Sequence, residues 1–154
     1  MIGGIHASGK SKLSYRLSED ISNIEIISPG KLLNHNSKTK TVDNIEENQL
    51  ILTNIIKSIR MSGKIIVIDG HYGVLDKNSH LRFVGSEIFK AINPDLLVLV
   101  ESSPETILRR LKIRDGKTYE IGQINKWSEE ERQYAFQASL YIDKPIYIIR
   151  GTNK

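Results

Sequence analysis

One short segment near the N-terminus restricts the possible folds of this chain more than any other. Residues 4–11 read Gly-Ile-His-Ala-Ser-Gly-Lys-Ser, so two glycines five positions apart are followed at once by a lysine and a serine. A short apolar run, residues 1–5, leads into this loop, and Leu13 and Leu17 follow it at helical spacing. The pattern predicts a strand, a glycine-rich loop and a helix whose amide end points at the loop.

This spacing satisfies the Walker A pattern, which binds nucleotide phosphates. Loop amides surround the β-phosphate, the lysine neutralises the β- and γ-phosphates, and the hydroxyl binds Mg²⁺. In such a loop we expect His6 to offer only its backbone, although a contact of its ring with the ligand stays open. The residues predicted to bind ATP are Gly4, Ile5, His6, Ala7, Ser8, Gly9, Lys10, Ser11 and Lys12, and Lys10 is also predicted to be catalytic.

Strand-like and helix-like segments alternate through the rest of the chain. Apolar runs rich in β-branched residues follow at 23–27, 64–68, 96–101 and 146–149. Helical periodicity lies between them, at 43–63, 81–92 and 103–114, and in a last helix that starts at a Ser128/Glu131 capping box or earlier, near Glu120. Five strands alternating with helices predict a parallel α/β sheet whose sites lie at the carboxyl ends of the strands.

A polar cluster ends the apolar run at 64–68. Asp69 follows the run directly and precedes Gly70 and His71. A carboxylate there can hold Mg²⁺ through water or take a proton from an acceptor hydroxyl, so Asp69 is predicted to be catalytic and, with Ser11, to bind the metal. The plain alternative is an Asp-Gly turn. His71 and Tyr72 either line an acceptor pocket or pack under the loop.

Residues 109–117 contain five basic residues in nine. On its own such a helix end is a solvated face, but phosphoryl transfer gathers negative charge that fixed guanidinium groups stabilise. Arg110 and Arg114 lie four residues apart and are therefore predicted to be catalytic, with Arg110 also binding ATP. The following segment is expected to close as a lid, and Arg132 to complete the clamp.

Composition removes several other classes. A chain of 154 residues suits one domain, and the absence of cysteine excludes disulfides and thiolate metal sites. No apolar run approaches the roughly 20 residues of a membrane span, so we predict no membrane partner. We further predict a single cytoplasmic domain that exists as a monomer or homodimer. The net charge of +4 favours an anionic partner. With 6% aromatic residues and no recognition motif, the sequence does not favour nucleic acid.

These motifs together resemble the P-loop kinases of the adenylate kinase-like group, especially archaeal-type adenylate kinases. The segments that carry the resemblance are Gly4 to Ser11, Asp69-Gly70-His71, Arg109-Arg110 with Arg114-Asp115, and Glu131-Arg132-Gln133-Tyr134-Ala135. It covers nearly the whole chain and implies an α/β, three-layer P-loop NTPase fold with a five-stranded parallel sheet ordered 2-3-1-4-5. It further implies ATP and Mg²⁺ as cofactors, an acceptor region at about residues 28–60 and a lid at about residues 112–127.

The resemblance leaves the phosphate acceptor open. Adenylate kinases usually present an arginine to the acceptor phosphate after the second strand, whereas residues 28–42 contain lysines and no arginine. The residues predicted to bind the acceptor are Lys31, Arg60, His71, Tyr72, Arg82 and Arg132. The predicted function is transfer of the γ-phosphoryl group of ATP to a nucleotide. The alternatives are a kinase of a non-nucleotide small molecule, in which Asp69 is a general base, and a regulatory nucleotide-binding module.

Overall fold

The computed structural model describes residues 1–29, 54, 56–57, 60, 63–76, 78–116 and 118–151. Strands and helices alternate along these residues, as the apolar runs predict. In chain order the elements are β1 (Ile2–Gly3), α1 (Lys10–Asp20), β2 (Ile24–Ile27), β3 (Ile65–Ile68), β4 (Gly73–Leu75), β5 (Leu81–Phe83), α2 (Ser86–Ile92), β6 (Leu97–Glu101), α3 (Pro104–Asp115), α4 (Ile121–Ile142) and β7 (Ile146–Arg150).

Parallel strands form two groups that meet beside the glycine loop. Strand β6 lies between β1 and β7, with Ile2 opposite Val98 and Leu97 opposite Ile146. Strands β2 and β3 form a second parallel pair. The groups adjoin where Ile2 and Asp69 form a single parallel bridge and the Gly70 amide donates to Ile2 O at 3.0 Å. Asp69 therefore lies at the end of β3, next to the strand that enters the loop.

The predicted parallel α/β architecture is confirmed, but the described residues do not show one continuous sheet of five strands in the order 2-3-1-4-5. The physical reason is the length of β1, which has only two residues. Such a short strand has few ladder groups to offer, and here it pairs with β6 and makes only one bridge towards β3.

A hairpin replaces the first part of the helix predicted over 81–92, which begins only at Ser86. Strands β4 and β5 pair antiparallel, with Gly73 opposite Phe83. The Asp76 carboxylate organises the connection, because its Oδ1 accepts from the Asn78 and His80 amides at 2.8 and 3.0 Å. This local bonding favours a turn over a helix.

The two helices after β6 differ in how well their starts were predicted. Ser103 caps α3 as expected, since its Oγ accepts from the Thr106 amide at 3.4 Å and Pro104 is the first helical residue. Helix α4 begins at Ile121, close to the earlier of the two predicted starts, and the capping box at Ser128 is wrong. Ser128 Oγ instead donates to Ile124 O at 2.9 Å within the helix.

Buried side chains form three apolar clusters around the strands. One joins β6 to α2 and α4, a second packs Ile5 of the loop against α3 and α4, and a third lies on β2 and β3. The second cluster supports the glycine loop from below, with Ile107, Leu111, Ile124 and Trp127. None of the helices in the described part of the chain is long and apolar enough to cross a membrane.

Candidate active site

The glycine loop joins β1 to α1 through an unusual backbone path. Gly4, Ala7 and Gly9 all have positive φ, at 149°, 65° and 108°. A Cβ on Gly4 would fall well inside 3.0 Å of Val100 O, so only glycine fits between the loop and β6. A backbone that alternates in this way turns successive N–H groups towards one side and creates a concave anion site, here directly before the N-terminus of α1.

Lys10 lies inside this loop and is only 6% exposed. Its Nζ donates to Gly4 O at 2.7 Å and to Ile5 O at 2.9 Å. Burial lowers the pKa of Lys10 to about 8, whereas the charges of Glu131 and Asp69 act to raise it. The loop thus encloses a cation whose hydrogen bonds to carbonyl groups can be exchanged for bonds to a phosphate.

Ser11 and Asp69 place two oxygen atoms suited to metal binding beside the lysine. Ser11 Oγ, in the first turn of α1, donates to Asp69 Oδ2 at 2.9 Å. A hydroxyl and a carboxylate next to a phosphate cradle fit Mg²⁺, which in such sites takes one or two protein oxygens and completes its shell with phosphate and water. Within the described ranges no cluster of three or more His, Asp or Glu side chains could hold a metal by itself.

His71 lies against the loop and Tyr72 lies below it. His71 Nδ1 is 3.2 Å from Gly4 O, and its ring centroid is 4.6 Å from that of His6. Burial, followed by the charge of Lys10, lowers the pKa of His71 to about 3, so its ring is neutral. Tyr72 is fully buried and donates its hydroxyl proton to Val98 O at 3.1 Å, which corresponds to the packing alternative and offers no surface to an acceptor.

Arg110 reaches the loop from α3. Its Nη1 donates to Ala7 O at 2.9 Å and to Ser102 Oγ at 3.2 Å. Ser102, which the sequence reasoning did not select, donates in turn to Ser8 O at 2.7 Å. Its position directly after a buried strand was the signal that could have identified it. Arg114 lies one turn further along α3, close enough for its charge to lower the pKa of Lys10 and of His71.

Arg132 lies at the carboxyl end of β6, beside a cavity. Its Nε donates to Glu101 Oε1 at 2.6 Å, and Glu101 also accepts from Arg150 at 3.3 Å. The cavity has a volume of about 560 Å³ and lies between the ends of β6 and β7 and the helices α3 and α4. Its lining includes Ile5, Ser102, Asn125 and Gly151 in addition to Arg132.

Of the remaining predicted acceptor residues, Arg60 and Arg82 are not brought to the loop. Arg60 Nη2 donates to Ile92 O at 2.8 Å and Asn93 O at 2.6 Å, at the C-terminus of α2. Arg82 is paired through Nε with Asp76 at 3.1 Å, and its side chain is 75% exposed. Lys31 lies outside the described residues. Lys12, which was predicted to bind ATP and not the acceptor, is exposed on α1.

Glu131 is a buried acidic residue that the sequence suggested only as part of a capping box and of the segment Glu131-Arg132-Gln133-Tyr134-Ala135. It is 1% exposed, and its Oε1 accepts from the amides of Tyr72 at 3.2 Å and Gly73 at 3.3 Å. Burial raises the pKa of Glu131 to about 7, while the charge of Lys10 acts to lower it. The available signal was its place in the buried stripe of α4, between Trp127 and Ala135.

Comparisons with known proteins agree with this geometry. The model of a family described as an AAA domain matches residues 3–127. Shikimate kinase from Bacteroides thetaiotaomicron is similar in structure, with a TM-score of 0.50, 12% identity, and coverage of 96% of this chain and 84% of that chain. At this identity the likeness concerns the fold alone.

Two further solved structures are similar at lower scores. Deoxyadenosine kinase from M. mycoides has a TM-score of 0.47 and 14% identity, with coverage of 96% of this chain and 88% of that chain. A gluconokinase from Sinorhizobium meliloti 1021 has a TM-score of 0.44 and 12% identity, with coverage of 92% and 89%. No curated protein sequence matches the chain.

Proposed function

Because the chain belongs to the AAA domain family, whose model matches residues 3–127, we propose that it is an ATP-dependent P-loop kinase that phosphorylates a small acceptor. One observation carries the proposal: the Lys10 ammonium lies inside the glycine loop while Ser11 Oγ bonds the Asp69 carboxylate beside it. A magnesium-bound triphosphate requires a cation, a ring of amides and oxygen ligands for the metal, and this site brings these groups together.

Each side chain then has a defined task. Lys10 exchanges the carbonyl oxygens of Gly4 and Ile5 for phosphate oxygens, and the loop amides hold the β-phosphate. Ser11 and Asp69 hold Mg²⁺, which supplies charge neutralisation on the phosphates when bound. Arg110 already bonds the loop at Ala7 O, so with Arg114 it can stabilise negative charge as the phosphoryl group transfers.

The closing part of the site is proposed at about residues 112–127. Helix α3 ends there at Gly116 in the left-handed conformation, and α4 starts at Ile121. A short connection between two helices that carry Arg110, Arg114 and Arg132 suits a lid that excludes water during transfer. The bridge between β1 and β3 supports the order β2-β3-β1-β6-β7, which corresponds to the adenylate kinase-like sheet.

A nucleotide is the first acceptor to consider, with the acceptor region at about residues 28–60. In that case the acceptor phosphate is itself the nucleophile and needs no base. A second candidate is a hydroxyl-bearing small molecule, supported by the lack of an arginine in residues 28–42 and by the shared fold with a shikimate kinase. There the Asp69 carboxylate, at the end of β3, would accept the hydroxyl proton.

The proposal is tested first by calorimetry with Mg²⁺ and ATP on the wild-type chain, Lys10→Ala and the surface control Lys64→Ala. We expect binding by the wild type and the control, and a loss of at least about tenfold in Lys10→Ala, since a charge-assisted bond in a buried site contributes about 1.5–3 kcal/mol. No binding by the wild type, or equal binding by Lys10→Ala, would refute it.

The acceptor is then identified with radiolabelled ATP. A panel of nucleoside monophosphates is compared with deoxynucleosides, shikimate and gluconate. Labelling of a monophosphate supports the nucleotide kinase, whereas labelling confined to a hydroxyl compound supports the second candidate. ATP binding without transfer to any compound of the panel would favour a regulatory module.

A further inference from the structure

Glu131 is an ionisable residue in a place where charge is costly. It lies in the middle of α4, in the same stripe as Trp127 and Ala135, and only 1% of it is exposed. A carboxylate in such surroundings needs hydrogen bonds or an opposite charge to offset its desolvation, and an apolar side chain would fill the same space without that cost. The contacts that Glu131 makes therefore indicate what the carboxylate contributes.

One oxygen of Glu131 receives two successive backbone amides. Oε1 accepts from Tyr72 N at 3.2 Å and from Gly73 N at 3.3 Å. The other oxygen, Oε2, has no hydrogen-bond partner among the residues that the structure describes. The carboxylate thus bonds a short piece of backbone, Tyr72 and the first residue of β4, from the side of α4.

This piece of backbone follows the turn that carries the chemistry. Asp69, three residues before Tyr72, accepts from Ser11 Oγ at 2.9 Å. His71, the residue directly before Tyr72, has Nδ1 at 3.2 Å from Gly4 O. A shift of the Tyr72 backbone would therefore be transmitted through one to three peptide units to both contacts with the glycine loop.

The turn is also held by the Asp69 and Gly70 amides, which donate to Ile27 O at 2.8 Å and Ile2 O at 3.0 Å, and Tyr72 itself has further contacts. Its ring is fully buried against β1, where a Cβ on Gly3 would fall inside 3.0 Å of it. Its hydroxyl bonds Val98 O on β6, so the side chain is held from the sheet side. Glu131 holds the same residue by its backbone from the helix side.

We infer that Glu131 is a positioning residue: its carboxylate fixes the backbone of Tyr72 and Gly73 and thereby holds the turn of Asp69 and His71 against the glycine loop. The inference rests on the proposed function, because the turn matters for transfer only if Ser11 and Asp69 hold the metal of a bound nucleotide. In this role Glu131 acts through the backbone of Tyr72 and Gly73, although it also lines the cavity beside Arg132.

Two substitutions distinguish the effect of the length of this side chain, its reach, from the effect of its charge. Glu131→Gln keeps the length and an oxygen that can accept both amides, but removes the charge. Glu131→Asp keeps the charge but is one methylene shorter, so it cannot hold both amides from the same helix position. Glu130→Gln and Glu130→Asp are matched controls, because Glu130 is the preceding residue of α4 and pairs at the surface with Lys126 at 3.8 Å.

Two measurements follow each variant. Amide hydrogen exchange by NMR, without any ligand, reports the bonds at Tyr72 and Gly73. Calorimetry of ATP with and without Mg²⁺ gives the factor by which the metal tightens binding. We expect Glu131→Asp to speed exchange of both amides by about tenfold, because each amide loses a hydrogen bond. We expect it also to reduce the Mg²⁺ factor by about tenfold, as losses of supporting groups at metal sites do. Glu131→Gln and the controls should stay within about threefold of the wild type.

Three results would overturn the inference. The first is wild-type exchange and an unchanged Mg²⁺ factor in Glu131→Asp. The second is a loss in Glu131→Gln as large as in Glu131→Asp, because charge and not reach would then matter. The third is an equal loss of ATP affinity with and without Mg²⁺ in Glu131→Asp, which would indicate general loosening of the fold. Absence of ATP binding in the wild type is the separate result that refutes the proposed function, and the role of Glu131 in transfer with it.

Discussion

Substitution of Gly4 by alanine tests the idea that the loop is built around a backbone that only glycine can adopt. Gly4 has φ of 149°, and an added Cβ would fall inside 3.0 Å of Val100 O and at 2.8 Å from Ser8 Oγ. The first of these atoms belongs to the backbone of β6, which pairs on both sides with β1 and β7 and cannot easily move. Backbone strain costs about 1–3 kcal/mol, and the steric overlap costs about 1–3 kcal/mol more.

Gly63→Ala is the matched control for this substitution. Gly63 also has a positive φ, 72°, but no described atom lies within 4 Å of its added Cβ. It therefore carries only the backbone cost, about 1–2 kcal/mol for a left-handed residue. The two backbone costs nearly cancel, so we expect the free energy of unfolding to fall by about 1–3 kcal/mol more in Gly4→Ala than in Gly63→Ala, which corresponds to a melting temperature roughly 2–12 °C lower.

The assay is urea unfolding of both variants followed by fluorescence of Trp127, with ATP calorimetry on the folded protein. Gly4→Ala should also lose ATP binding, because the displaced loop no longer directs its amides inward, whereas Gly63→Ala should retain it. Equal stability of the two variants would show that the close approach of the loop to β6 does not constrain residue 4, and would refute the reasoning.

Three further predictions concern single side chains. Ser11→Ala should reduce the Mg²⁺ enhancement of ATP affinity by about tenfold and leave metal-free binding unchanged, as measured by calorimetry; an equal loss in both conditions would contradict its assignment to the metal. Burial lowers the pKa of His71 to about 3 in the folded protein, whereas in the unfolded protein it is near 6.5. Between these values the unfolded protein binds more protons, so stability must fall as pH drops from about 6.5 towards 3. His71→Gln should therefore show a shallower loss in melting temperature between about pH 6.5 and 5. Arg110→Lys should weaken ATP binding by about 1–2 kcal/mol, because a lysine cannot reproduce the guanidinium bonds to Ala7 O and Ser102 Oγ, while the exposed neighbour Arg109→Lys should not.

Local features of the chain were predicted well where neighbouring residues decide the conformation. The glycine loop and the start of α1 are recognisable from residues 4–11, and the structure forms them as expected. The cap at Ser103 and Pro104 was also predicted correctly, because the hydrogen bond from the Thr106 amide to Ser103 spans only three residues. The four strands predicted after the loop, β2, β3, β6 and β7, were located within one residue because apolar runs rich in β-branched residues mark them, whereas β4 and β5 were missed.

Errors arose where one pattern fits two structures. Residues 81–83 lie at the start of a segment with helical spacing, yet Asp76 bonds two amides of the following turn and the segment pairs as β5. Ser128 and Glu131 have the spacing of a capping box, but the helix starts seven residues before Ser128, so neither of them is near a free amide end. Periodicity and motif spacing do not reveal whether a segment forms a strand or a helix, or a helix start or a helix interior, because hydrogen bonds to residues outside the pattern decide this.

The sequence alone determined that a phosphate-binding loop lies between a strand and a helix, and that strands and helices alternate after it, because bonds and periodicities within a few residues define those elements. Only the tertiary structure decided which distant groups meet that loop. Asp69 reaches Ser11 because β3 ends beside β1, and Arg110 reaches Ala7 because α3 crosses near it. Glu131 is buried beneath the turn because α4 packs against the sheet there, and no local pattern distinguishes such a carboxylate from one that faces water.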